Sequence, residues 1–217
     1  VKEGRRCFSM AGEMMYSVDD VSDIKKDSIF NKRLDLFLKD FEKDMPYCDE
    51  SIGRSITTCS DNDLFFKIDG PERHAMRWFY QTIQKYYSQV ERSPSEIYIK
   101  RNWINRCFEG TTVKPHFHYD PDLEVADNEE HLVVILYYEC EPNASEIVFL
   151  SGEVIKDSID EYHRSQRHAV SIEPGLAIVH PNSLIHSVSE LKSEQYRTCF
   201  VFDIKCVFEE SIVKDSE

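Results

Sequence analysis

Lys114-Pro115-His116-Phe117-His118-Tyr119-Asp120 gathers two imidazoles and a carboxylate into one short stretch. On an extended chain alternate side chains share a face, so His118 and Asp120 form such a pair. A distant His186 supplies a further imidazole. Two histidines and one carboxylate on one side of a metal ion leave three positions open, an arrangement suited to non-haem Fe(II). Donors from distant segments must converge, and a double sheet does this where strand ends from both layers meet.

The flanking sequence carries that architecture. From residue 96 to 108 apolar and polar residues alternate, and Glu109-Gly110 marks a turn before 111–113. Further strands are predicted over 132–139, 146–150, 168–172, 176–179, 184–188 and 196–205. Pro142-Asn143, Ser151-Gly152, Pro174-Gly175 and Pro181-Asn182 punctuate them. No helical pattern in this part is long enough for crossovers, so the strands are expected to be antiparallel. Upstream, Ile29, Phe30, Leu34, Phe37, Leu38, Phe41 and Met45 recur at helical spacing before Pro46. A second helix is predicted to start at Asp69 or Gly70, with Pro71 in its first turn, and to end at Pro94. Its aromatic face reads as core packing. Residues 1–27 give little periodic signal and are expected to form an arm or irregular cover, 47–60 a loop, and 64–68 a short strand. The predicted fold is mainly β with flanking helices. One domain over 1–217 combines helical support in 1–95 with a jelly-roll core, or double-stranded β-helix, in 96–208.

Composition narrows the classes of function. The 217 residues suffice for one well-buried core, and 41% hydrophobic with 30% charged residues is ordinary globular composition. No apolar run reaches the ~18–20 residues of a membrane span. A net charge of -14 repels phosphate polyanions and weighs against a nucleic-acid partner. Lys100, Arg101, Arg106 and Lys114 around Trp103 are the nearest approach to a basic aromatic stripe, but such charges on an exposed strand are usually just solvated, and the net charge of -14 strengthens that reading. Seven scattered cysteines without a C-x-x-C pair suggest neither a disulfide framework nor a zinc ribbon, and imply a reducing, cytoplasmic compartment. The start of the chain has no apolar h-region, so no secretory signal is expected.

The order His118-Tyr119-Asp120, His186-Ser187-Val188, Arg197 resembles the signature of the Fe(II)/2-oxoglutarate-dependent dioxygenases. Leu136-Tyr137-Tyr138, Glu146-Ile147-Val148-Phe149, Glu173-Pro174-Gly175 and Ile178-Val179-His180-Pro181 extend the likeness, especially to the prolyl-hydroxylase-like branch and to related phage and bacterial oxygenases. The resemblance spans about residues 96–206. It implies Fe(II), 2-oxoglutarate and O2 as cofactors, with His118, Asp120 and His186 as metal ligands. Arg197 would grip the far carboxylate of 2-oxoglutarate through two parallel hydrogen bonds. The family often has a hydroxyl residue two positions after this arginine; here Cys199, a weaker donor, stands there. Tyr138 is the candidate to replace it. His116, Trp103 and Arg101 are expected on the substrate side, and 120–130 as a lid. The reaction implied is hydroxylation of an unactivated C–H with release of succinate and CO2. The substrate expected is a peptidyl, prolyl-type side chain, with a small metabolite or nucleobase as alternatives.

Gly110 followed by His116-x-His118 also resembles the first motif of the cupins, another jelly-roll family. That reading would use His116, His118 and Glu124, but gives no role to Asp120 or Arg197. A metal- or ligand-binding jelly roll without catalysis is a third possibility.

Overall fold

A computed structural model of the chain describes residues 5–8, 14–20, 28–44, 55–57, 68, 70, 73–118, 125–151 and 166–209. The elements are β1 (Arg5–Phe8), β2 (Met14–Asp20), α1 (Ser28–Asp44), β3 (Ser55–Thr57), α2 (His74–Ser88), β4 (Glu96–Cys107), β5 (Val113–His116) and β6 (Glu129–Glu139). They continue with β7 (Glu146–Ser151), β8 (Gln166–Ser171), β9 (Leu176–Pro181), β10 (His186–Val188) and β11 (Arg197–Val207). A seven-stranded sheet has the order β1-β2-β9-β6-β11-β4-β3, and a four-stranded sheet the order β5-β10-β7-β8. All pairings are antiparallel. From β4 onward the chain passes back and forth between the two sheets, which is the winding of a jelly roll.

The central strands are apolar on both faces because both are covered. On β6 and β11, Val133, Ile135, Tyr137, Cys199 and Val201 point inward, against Ile147, Phe149 and Val188 of the smaller sheet. Their neighbours Val134, Leu136, Phe200 and Phe202 point outward, under Phe30, Leu34 and Leu38 of α1 and Phe79, Ile83 and Tyr87 of α2. Phe79 and Phe202 meet at 4.7 Å between ring centroids. Each such side chain contributes about 1.5–3 kcal/mol by leaving water. The helices therefore brace the larger sheet from outside, as the sequence order implied.

Three local expectations change. The arm predicted for 1–27 contains β1 and β2, which extend the larger sheet through pairing of β2 with β9. The loop predicted for 47–60 contains β3, paired with β4. Helix α2 begins at His74, after Arg73 in a left-handed conformation and with no side-chain cap; Asp69 and Pro71 lie outside the described residues. Most of the strand expected over 64–68 lies outside them too, as do Phe117's successors Tyr119 and Asp120. The β4–β5 turn passes through Gly110 at φ +79°, a backbone state that glycine adopts without steric cost, and it delivers β5 into the smaller sheet.

Candidate metal centre

Strand β5 ends at His116, directly opposite His186 in the β5–β10 ladder. His118 follows just past the strand end. The ligand-capable atoms of His116, His118 and His186 all lie within 4.8 Å of one another. The ring centroids of His116 and His186 are 4.3 Å apart, and those of His118 and His186 5.3 Å. Sheet geometry alone produces the convergence: a cross-strand pair supplies two rings, and the residue two positions on supplies the third.

Each ring is held by the same device. His116 Nδ1–H donates to the Lys114 carbonyl at 2.9 Å, His186 Nδ1–H to the Leu184 carbonyl at 3.1 Å, and His118 Nδ1–H to the Asp203 carboxylate at 2.7 Å. A carbonyl or carboxylate can only accept, so it fixes the proton on Nδ1 and leaves Nε2 as the free donor of electrons. Burial holds His116 and His186 below the usual imidazole range. His180 lies alongside, 4.7 Å from His186 between centroids, fully buried, with Nδ1–H bonded to the Pro181 carbonyl and Nε2 without a partner. Burial pushes its pKa down to about 3. The donor set fits a divalent metal: three imidazoles with oriented rings, backed by oxygen acceptors.

Trp103, on β4, stacks on His118 at 5.6 Å and 23°. Arg101, expected to face substrate, donates Nε–H to Asp203 at 2.8 Å and stands behind the His118 ring that Asp203 also contacts. Asp120 and Glu124 lie outside the described residues, as does the first part of the 120–130 stretch; Glu129 and Glu130 already belong to β6.

Arg197 opens β11 on the same inner face as Cys199, Val201 and Asp203. It is 1% exposed, and Nη1 donates to Ser145 Oγ at 3.0 Å, with the Ser189 carbonyl at 3.5 Å. Among the described residues no carboxylate pairs with it. Cys199 and Tyr137 are its inner-face neighbours; burial pushes the Cys199 thiol up to about 12 and raises the Tyr137 phenol, so both stay neutral. Tyr138 is a correction. The β6–β11 register passes from Cys199↔Tyr137 to Thr198↔Glu139, so Tyr138 is the extra residue of a bulge. Its hydroxyl donates to Asn31 Oδ1 of α1 and its ring packs on Phe30 and Phe200, on the far side of the sheet from Arg197.

Sequence reasoning missed Asp203, Tyr137 and Ser145. Asp203 did leave a trace: it is the one acid in the otherwise buried run of β11, and such an acid requires a partner.

The two antiparallel sheets, with histidines at one end of their inward faces and a buried guanidinium on the same inner side, form a double-stranded β-helix. Solved structures share this fold. A non-heme alpha-ketoglutarate-dependent epimerase, SnoN, from nogalamycin biosynthesis is 11% identical, with a TM-score of 0.58 over 91% of this chain and 82% of its own. A Pseudomonas putida prolyl-4-hydroxylase is 12% identical, with a TM-score of 0.55 over 90% and 93%. HygX from Streptomyces hygroscopicus, solved with nickel and 2-oxoglutarate bound, is 10% identical, with a TM-score of 0.52 over 90% and 83%. No protein-family model and no curated protein matches the sequence. The likeness to these oxygenases is one of fold.

Proposed function

We propose that the protein is an Fe(II)- and 2-oxoglutarate-dependent dioxygenase that hydroxylates a C–H bond of a peptidyl, prolyl-type side chain. One observation carries the reading: inward imidazole nitrogens and a buried guanidinium that no carboxylate of the described residues pairs with share one barrel interior. A buried, uncompensated positive charge is costly, and an anionic ligand offsets it.

His118 and His186 would hold the metal through Nε2, with one further donor. When bound, the iron supplies activation of O2 coupled to decarboxylation of 2-oxoglutarate, one oxygen atom entering succinate and the other the substrate C–H. The protein's own groups do the rest. Asp203 fixes the tautomer and orientation of His118, and Trp103 limits tilting of its ring. Arg197 presents two parallel N–H donors to the distal carboxylate, and Ser145 is a hydroxyl within its reach. Ser189 is three residues beyond His186, roughly 10 Å at extended-chain rise, a span that suits a five-carbon diacid anchored at both ends. Ile135, Phe149 and Val201 line the interior and exclude water, which strengthens every charged contact within it.

The fold is shared with a prolyl-4-hydroxylase and with an epimerase, so the peptidyl substrate rests on likeness to the former. A cupin-type metalloenzyme remains the second reading, because His116 joins His118 at the site; a cupin would leave Arg197 without a partner. Anaerobic titration of Fe(II) and 2-oxoglutarate into the metal-free protein tests the proposal. A weak visible metal-to-ligand band, lost in Arg197→Ala at the same 2-oxoglutarate concentration, is the expected result. Iron binding with no band at any concentration would favour the cupin.

A further inference from the structure

Resting on the peptidyl reading above, we propose that the substrate carries an acidic residue next to the one that reacts, and that Lys205, with Arg101 beside it, holds that carboxylate on a shelf just outside the metal centre.

Unequal strand lengths make the shelf. In the smaller sheet β5 ends at His116, and β10 begins opposite it at His186. The larger sheet runs on past that level. Asp203, which touches His118, is followed on the same face by Lys205, and the ladder places Tyr98 of β4 and His131 of β6 on either side of Lys205. The inner face of β6 and β11 therefore changes character along its length. It is apolar at Ile135, Val133 and Val201, inside the barrel, and charged at Asp203, Lys205 and Glu129, at and beyond the rings. Charged side chains on an inward face need partners that an apolar sheet cannot supply.

The bonds already made decide which kind of partner is missing. Both oxygens of Asp203 are taken, one by His118 and one by Arg101. Glu129 accepts from Lys205 Nζ at 2.6 Å, and its other oxygen lies 3.8 Å from His131 Nε2. These acceptors are spent. Donors are not: Arg101 uses Nε and Nη2 on Asp203 and keeps Nη1, and an ammonium with one bond to Glu129 keeps further N–H groups. Both side chains reach water, Arg101 at 58% exposure and Lys205 at 23%. The Lys205 ammonium stands 5.4 Å from the centroid of the Tyr98 ring, which steadies it at the opening. Arg101 and Lys205 are diagonal neighbours across the β4–β11 ladder, about 7–8 Å apart at that spacing. Two long cationic side chains so placed can close on one carboxylate. A cationic substrate group would find neither Asp203 nor Glu129 free.

The full chain, loaded with Ni(II) and 2-oxoglutarate, is titrated by calorimetry at low ionic strength with acetyl-Ala-Pro-Glu-Ala-amide and its Gln and Lys counterparts. The Glu peptide should bind at least about fivefold tighter than the Gln peptide, with the Lys peptide weakest. Added salt should close the gap. In Lys205→Gln the Glu and Gln peptides should come within about twofold of each other while the Gln peptide keeps its wild-type affinity; Arg101→Gln should narrow the gap in part. Glu129→Gln, which releases Lys205, should widen the gap and serves as the second variant if Lys205→Gln fails to fold. Equal binding of the Glu and Gln peptides by the wild type, or a gap that outlasts both Lys205→Gln and Arg101→Gln, overturns the carboxylate site and leaves the peptidyl reading standing. If Ni(II) and 2-oxoglutarate bind but none of the peptides does, the peptidyl reading fails and the carboxylate site with it.

Discussion

Asp203 divides its two carboxylate oxygens between opposite neighbours, His118 on the inside and Arg101 on the outside. The two contacts differ in worth. The Arg101 pair is largely exposed on the arginine side, and such pairs contribute about 0–1 kcal/mol, so Arg101→Ala should leave the melting temperature nearly unchanged. Asp203→Asn removes the charge that orients a metal-facing ring. It should lower metal affinity by about 10–100-fold in a competitive chelator titration while the protein stays folded. Arg197 calls for a subtler substitution. Lysine keeps the charge but loses the planar fork, so Arg197→Lys should raise the 2-oxoglutarate concentration for half-saturation several-fold, with metal affinity unaltered. Equal losses of metal and cosubstrate binding would mean that Arg197 supports the barrel rather than the ligand.

Strand β6 shows how one extra residue redirects chemistry. The bulge at Tyr138 turns that ring toward α1 and leaves Tyr137 facing Cys199 inside the barrel. Tyr137→Phe should therefore raise the 2-oxoglutarate requirement, whereas Tyr138→Phe should cost about 1 kcal/mol of stability and nothing in cosubstrate binding; paired thermal melts and saturation curves separate them. This is also where sequence reading stops. Turn residues bounded β4, β6, β7, β9 and β11. Of these, β4 and β7 alternate because one face meets the core and the other solvent, whereas β6, β9 and β11 read as apolar runs because both faces are covered. A bulge leaves no such mark, since Tyr-Tyr fits a strand in either register. β1, β2 and β3 were not legible either: pairing with β9 and β4 makes them strands, and short polar segments do not announce a distant partner. At the site, His118 and His186 were candidates from the sequence and come together in the fold, whereas the contact of Asp203 with His118 joins residues far apart in the chain.

Over the whole molecule, charge and burial follow different rules. The net charge of -14 is not relieved by the basic cluster near the site strand: Arg101 is engaged by Asp203, and Arg106 by Glu139 and Thr198. That pairing engages two of the four cations, Lys100, Arg101, Arg106 and Lys114, that a nucleic-acid partner would need. Among the described residues no helix is long and apolar enough to cross a membrane. Cys107, Cys140, Cys199 and Cys206 are all buried, and burial pushes the thiols of Cys199 and Cys206 up to about 12 and about 11. Since the thiolate is the reactive form, iodoacetamide at pH 8 should leave these four unlabelled in the native protein and label them on unfolding, as read by peptide mass spectrometry.

The stacking of Trp103 on His118 has a practical sequel. The chain holds two tryptophans, and the centre of this indole lies 5.6 Å from that of the His118 imidazole. A paramagnetic ion there drains the indole's excited state, so occupancy should be visible as dimming of the native emission, without any added dye. Adding Ni(II) or Cu(II) should quench the wild type in step with binding, and Trp103→Phe, which retains Trp78, should emit at a level indifferent to the metal. The site thus contains its own lamp.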